Sequence, residues 1–245
     1  MKPPRIAELL QPFLSPLPPR DKAAALSETQ LNNISMYIDI LLRWNARMNL
    51  TAVRDEENIV TRHFGESLFA ARHLFPLESH VGAAVEACPE RSRRGCPVEP
   101  SSTSSRQLPM RLIDVGSGAG FPGLPIKIWK PDIHLTPIES NQKKATFLRE
   151  VIRKLALTQV EVFAGRAQDF RSQGEVVTLR AVERFDEALP IAATLVVPNG
   201  NIALLIGEQQ TNQAKELLPN FTWEPPRPIP QSTNRIILLG TNPTL

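Results

Sequence analysis

With 245 residues, 42% of them hydrophobic, the chain can bury one full-sized core and carry a modest extra element beside it. Its 28 Lys and Arg against 25 Asp and Glu leave a net charge of +3, which mildly favours an anionic partner such as RNA. The opening residues, MKPPRIAELLQPF, lack the continuous apolar core of a signal peptide, and no later run approaches the roughly 18 apolar residues of a membrane span, so a soluble cytoplasmic protein with no membrane partner is expected. Cys88 and Cys96 share one polar stretch without a CxxC pair or nearby histidines, which indicates neither a zinc site nor a disulfide framework, and no metal is expected.

Ser27-x-x-Gln30 is a capping-box start, and Leu31, Ile34, Ile38, Leu41 and Leu42 follow it at helical spacing. A second amphipathic helix begins near Asp55 and puts Val60, Phe64, Leu68, Ala71 and Phe75 on one face. Residues 1–77 therefore read as an all-helical N-terminal extension. Residues 78–109 are rich in Pro, Ser and Arg with no sustained apolar period, and read as a linker or insertion whose Arg91, Arg93 and Arg94 form a solvated charge run.

Residues 110–245 alternate apolar runs with helical patterns, as a βαβ sheet requires. Strands are expected at 111–115, 133–138, 160–163, 176–179, 202–206 and 235–239, and helices at 123–129, 142–155, 186–196 and 209–218. Pro198-Asn199-Gly200 reads as a turn into the fifth strand. The domain is a doubly wound α/β fold.

The first strand runs into Asp114-Val115-Gly116-Ser117-Gly118-Ala119-Gly120-Phe121-Pro122-Gly123, at the carboxyl edge of a parallel sheet where ligands bind. Glycines there let the backbone bend sharply and admit a cofactor closer than a Cβ would allow. Gly118-x-Gly120-x-x-Gly123 also matches a dinucleotide fingerprint, with Glu139 at the spacing of a ribose-binding acid. Asp114 at the strand end followed by Gly116, Gly118 and Gly120 is instead the D-x-G-x-G-x-G pattern of class I methyltransferases. In either reading Glu139, ending the second strand, accepts the hydroxyls of an adenosine ribose. Gly165-Arg166-Ala167-Gln168-Asp169 forms a loop on the same edge, suited to an adenine, and Arg180 faces that edge as an exposed arginine, able to pair a carboxylate or a phosphate while contributing little to folding.

Together these residues resemble the bacterial ribosomal RNA small-subunit methyltransferase G family, also called the glucose-inhibited division protein B family. The resemblance rests on WNARMNLTAVRDEENIVTRHFGESL, LIDVGSGAGFPGLPIKIWKPD, IESNQKKATFLREVIRKLAL, GRAQDF and LRAVERFDEAL, in the family's order. It implies a class I, Rossmann-like S-adenosylmethionine-dependent methyltransferase sheet with a helical N-terminal extension. It further implies methyl transfer to N7 of a guanine in 16S ribosomal RNA, free or in the small subunit. Carried over by position, Gly116, Gly118 and Phe121 line the cofactor, Glu139 meets its ribose, Ala167 and Gln168 meet the adenine, and Arg180 is the cofactor-pocket arginine. The chain departs from the family at Glu66 and Glu139, where aspartate is usual, at Gln168 for glutamate, at Leu179 for serine and at Ile206 for lysine.

N7 of guanine carries a lone pair and no proton, so no general base is expected and none is assigned. Asn49, Arg62 and His63 are candidates for orienting RNA or bracing the helical part against the sheet. An NAD-type oxidoreductase and a non-catalytic RNA-binding protein on a methyltransferase fold are the alternatives.

Overall fold

The structure, a computed structural model, describes residues 1–15, 25–75, 109–182 and 184–244. The expected linker up to Leu108, with Cys88, Cys96, Arg91, Arg93 and Arg94, lies outside the described residues. The first helices are α1 (Pro3–Leu14), α2 (Glu28–Asn45), α3 (Glu56–Ile59), a π-helical segment (Val60–Gly65) and α4 (Glu66–Leu74). The sheet domain follows as β1 (Arg111–Val115), α5 (Gly123–Trp129), β2 (His134–Ile138), α6 (Gln142–Lys154), β3 (Gly174–Arg180) and α7 (Phe185–Thr194). It ends with β4 (Val196–Gly207), α8 (Thr211–Leu217), β5 (Thr222–Trp223), β6 (Arg227–Pro228) and β7 (Arg235–Thr241).

Within the helical extension expected over residues 1–77, α1 begins at two prolines. Pro3 and Pro4 fall in the first turn, where a helix has no use for their missing N–H, and Ile6, Leu10, Phe13 and Leu14 are buried. In α2 the capping box forms as expected: Gln30 N donates to Ser27 Oγ at 3.2 Å and Ser27 N to Gln30 Oε1 at 2.8 Å. Gln30 Nε2 also donates to the carbonyls of Ile128 and Trp129, which ties α2 to the end of α5. The helix expected near Asp55 is capped by that residue, and its apolar face is buried, but it contains one wide π turn between α3 and α4.

The sheet order is β2-β1-β3-β4-β7-β5, with β6 also on β7. The first four strands of that order are parallel and β7 is antiparallel to β4. Chain direction across the sheet reverses between β1 and β3, the switch point at which doubly wound folds open a crevice. The expected strand 160–163 is reduced to two bridges onto β2, at Leu135–Val160 and Ile138–Phe163. Four hydrogen bonds join the two segments, from Leu135 N to Gln159 O, Glu161 N to Leu135 O, Phe163 N to Pro137 O and Glu139 N to Phe163 O, and the ladder is interrupted where Pro137 has no N–H to donate. Pro198-Asn199-Gly200 is not a turn between elements. It lies within β4, where Gly174 faces Val196 but Val176 faces Asn201, so the extra residues form a bulge with Asn199 at φ 61°.

Helices cover both faces. One face, carrying Leu112, Leu135 and Val176, shares a single core with α1, α2, the π segment, α4, α5 and α6. The other, carrying Ile113, Val177, Leu204 and Leu238, is covered by α7 and α8. The N-terminal helices therefore have no core to themselves: α2 packs over α5 and α6, while Phe13 of α1 and Phe69 and Ala70 of α4 lie directly on Ala203 and Leu205 of β4 and Ile237 and Leu239 of β7.

Gly65 shows how closely this layer is fitted. Replacing a helical glycine by alanine normally stabilises by about 1 kcal/mol. Here an added Cβ would stand 2.6 Å from the buried Phe13 ring of α1, and overpacking costs about 1–3 kcal/mol. Gly65→Ala is predicted to destabilise the protein in urea denaturation, and Phe13→Leu in the same chain to recover part of the loss; a stabilising Gly65→Ala would contradict the packing.

Candidate functional site

The glycine turn is built around Asp114. Its carboxylate, fully buried at the end of β1, accepts from Thr178 Oγ1 at 2.8 Å, Ser117 Oγ at 2.5 Å and Gly123 N at 3.2 Å. Burial nevertheless pushes its pKa up to about 6, outweighing these donors. Those three bonds join β1 to β3, to the turn and to the start of α5, so Asp114 shapes the turn from behind. Gly123 must be glycine, because a Cβ there would meet Asp114 Oδ2 at 2.8 Å.

Gly116, Gly118 and Gly120 have φ of 69°, 58° and 87°, the left-handed region that side chains avoid. Their surroundings differ. Gly116 is exposed and an added Cβ would point toward Val182, whereas a Cβ on Gly120 would come within 2.2 Å of the Tyr37 hydroxyl. This decides between the two glycine patterns. A dinucleotide fingerprint uses its second glycine to bring the backbone against a pyrophosphate, and Gly120 holds that place but is walled in by α2. The open positions are Gly116 and Gly118, as the methyltransferase pattern expects.

Glu139 follows β2 and reaches across to the turn: its Oε2 accepts from Gly118 N at 2.9 Å and its Oε1 from Asn141 N at 2.7 Å. Glu139 N in turn donates to Phe163 O, so the chain leading to Ala167 and Gln168 leaves from the same edge. There Ala167 is half-buried and Gln168 is exposed within a short 3-10 turn, Ala167–Asp169. Phe121 faces the helical layer: its buried ring stacks on Tyr37 at 5.5 Å and on His63 at 4.7 Å.

Arg180 corrects the reading of an exposed arginine with little influence on folding. Its side chain is 9% exposed, Nε and Nη2 donate to Glu66 Oε2 at 3.2 and 2.9 Å, and Nη2 also donates to the Arg62 carbonyl at 2.8 Å. Sequence reasoning failed because Glu66 lies 114 residues away, on a helix packed over the strand end. Arg180 Nη2 stands 3.0 Å from His63 Nδ1; an arginine only donates, so Nδ1 is the acceptor and Nε2–H is assigned to Thr51 Oγ1 at 2.8 Å. Burial first, then Arg180, Arg62 and Arg235, lower the His63 pKa to about 3, so the ring is neutral at physiological pH. His63 thus braces the helical layer against the sheet, while Asn49 contacts Arg54 and has no part in the cluster.

Two participants carried no recognisable signal. Arg235 opens an apolar strand and places Nη2 3.1 Å from Glu66 Oε2, and Tyr37, on the buried face of α2, donates to the Ala119 carbonyl at 2.5 Å. Ile206 is buried in β4 and, with Val182, Gln210 and Arg235, lines a cavity of about 220 Å³ that adjoins the turn through the Val182–Gly116 approach. A larger groove, about 600 Å³, runs beside Arg149 and Arg153 and includes none of the turn residues.

The sequence model of the family described as rRNA small subunit methyltransferase G matches residues 30–81 and 98–225. Proteins named Ribosomal RNA small subunit methyltransferase G are similar to this chain. The one from Exiguobacterium sp. strain AT1b is 38% identical, covering 71% of this chain and 64% of its own length. Those from Roseiflexus castenholzii and Chloroflexus aggregans are 39% and 36% identical, covering 64% and 77% of this chain and 56% and 68% of their own lengths. The chain thus spans less than two thirds of the first two relatives. With most of its length matched by the family model, on both sides of the glycine turn, the chain belongs to the rRNA small subunit methyltransferase G family.

Proposed function

We propose that this chain transfers a methyl group from S-adenosylmethionine to N7 of a guanine in 16S ribosomal RNA. The observation that carries the reading is the open glycine turn at the β1–β3 switch point, with Gly116 and Gly118 accessible and Glu139 fastened beside them. The residues fit such a cofactor. Gly116 offers bare backbone where a Cβ would fill the approach, and each Glu139 oxygen, having accepted one backbone N–H, keeps a lone pair for a ribose hydroxyl. Ala167 and the exposed Gln168 amide stand on the same edge for the adenine. When bound, S-adenosylmethionine supplies an electrophilic methyl group on a sulfonium centre.

The chain's own task is then to place a guanine N7 in line with that methyl group, where positioning contributes several kcal/mol. A guanine N7 would take that group on its own lone pair, so the residues of the chain would hold the base in place and supply no general base. No proton moves, which fits a site whose histidine, His63, is held neutral and engaged by Arg180 and Thr51. Arg180 acts as a positioning residue: its Nε and Nη2 are committed to Glu66, Arg62 and His63, and His63 stacks on Phe121 next to the turn. Phe121 serves the site in the same way, through its place between Tyr37 and His63.

The test is label transfer from methyl-labelled S-adenosylmethionine to small-subunit RNA, followed by nucleoside analysis. Label in N7-methylguanosine is the expected result; label in another nucleoside, or none together with calorimetric binding of NAD, contradicts the reading. Gly116→Val is predicted to weaken cofactor binding at least tenfold in calorimetry while the protein stays folded, since the side chain enters the open approach and the φ of 69° disfavours it. Arg180→Ala is predicted to cost about 3 kcal/mol in urea denaturation, because it leaves Glu66 with only Arg235 as a charged partner. It should lower kcat more than it raises KM for the cofactor. An Arg180→Ala protein of unchanged stability would show that the ion pair does not hold the layers together.

A further inference from the structure

Beside the glycine edge lies a cavity of about 230 Å³ between the π segment and the turn 230–235. Its walls include Thr61, Arg62, Glu66, Thr233, Asn234 and Arg235. The charges around it do not cancel. Glu66 is the carboxylate of the cluster, and one of its oxygens, Oε2, receives both Arg180 and Arg235. Arg235 Nε and Nη2 are buried without a hydrogen-bond partner among the described residues, the ion pair to Glu66 lacking hydrogen-bond alignment. Arg62 is exposed and its guanidinium has no described partner; only its carbonyl is used, by Arg180. The side chains of Gln231, Thr233 and Asn234 are exposed and make no described hydrogen bond. His63 adds no charge, since burial holds it neutral. Glu66, and Asp114 facing Arg180 from within the sheet, offset two of the three guanidinium groups, so a net positive charge remains beside the unpartnered Arg235 N–H groups, a condition that an anion relieves.

We infer that this cavity, with Arg62 and Arg235 as its cations and the 231–234 turn as its polar wall, is a phosphate-binding site that takes a backbone phosphate of the RNA. The inference rests on the RNA reading above. The volume suits the occupant: one water takes about 30 Å³, so the cavity holds a phosphate group with the sugar atoms beside it. The position suits it too. Arg235 lines both this cavity and the one that adjoins Gly116 through Val182, so a phosphate held here places its strand next to the glycine edge. Arginine is the residue whose donors match phosphate oxygens in pairs.

Arg62→Gln tests this without touching the Glu66 ion pairs, because Arg180 uses only the Arg62 backbone. It is expected to weaken binding of a small-subunit RNA fragment about tenfold and to make the log-affinity against log-salt slope shallower by about 0.7–0.9. Arg62→Lys should keep the slope. Thermal midpoint and S-adenosylmethionine affinity should stay as in the wild type. Wild-type RNA affinity and slope in a folded Arg62→Gln protein overturn the site. A second arm uses inorganic phosphate alone: it should raise the wild-type thermal midpoint more than that of Arg62→Gln, by ligand linkage. Phosphate stabilisation that depends on Arg62, with RNA binding that does not, overturns the RNA backbone as occupant. Methyl transfer is measured separately, so absence of N7-methylguanosine with intact, Arg62-dependent RNA binding rejects the catalytic reading and leaves the phosphate site standing.

Discussion

A carboxylate whose side chain is 3% exposed needs partners that replace the water it has lost, and two arginines converge on Glu66 to do so. Arg180 ends β3 and Arg235 begins the antiparallel β7, so both arrive at the carboxyl edge of the parallel strands. Glu66, at the start of α4, fastens the helical layer across that edge. The neighbouring features depend on the fastening. Arg180 spans to the Arg62 carbonyl and to His63, His63 stacks on Phe121, and Phe121 belongs to the glycine turn. Removing one guanidinium leaves a buried charge poorly compensated, which is why the cluster behaves as a unit.

The turn has its own anchor in Asp114, and the two anchors act from different sides. Asp114 fixes the turn to β3 and α5 from within the sheet domain, while Tyr37 and Phe121 press the helical layer onto its outer curve. Between them they leave Gly116 and Gly118 uncovered. The open backbone at the site is thus a product of how tightly its surroundings are held. The N-terminal helices, which share one core with α5 and α6, are part of that hold.

Local patterns were legible and distant partnerships were not. The capping box at Ser27, the apolar stripe from Val60 to Phe75, and strands at 111–115 and 235–239 are set by spacing within a few residues, and the structure follows them. Residues 160–163 pair with β2 as expected, but the ladder is interrupted because the partner carries Pro137, a fact about pairing that the run VEVF does not contain. Helix α1 falls within the all-helical extension expected over residues 1–77, though no side-chain cap marks its start. At the site, Gly116, Gly118 and Glu139 were legible because turn chemistry is local. His63 was legible as a candidate brace, but the partnership of Arg180 with Glu66 and Arg235 was not, since it lies in contacts across 114 residues and more than one element.

The proposed chemistry at a guanine N7 asks for placement and not for proton transfer, and the described site is compatible with it: His63, Arg180 and Glu66 are engaged with one another, and the open surface of the turn is backbone. The proposed role of this arrangement is modification of one guanine in small-subunit RNA. The most direct measurement is chemical mapping of N7-methylguanosine across 16S RNA from cells of the source organism with this chain present, deleted and restored. The account predicts a single guanine that loses its N7 methyl group on deletion and regains it when the full chain is returned; an unchanged methylation pattern across all three would contradict it.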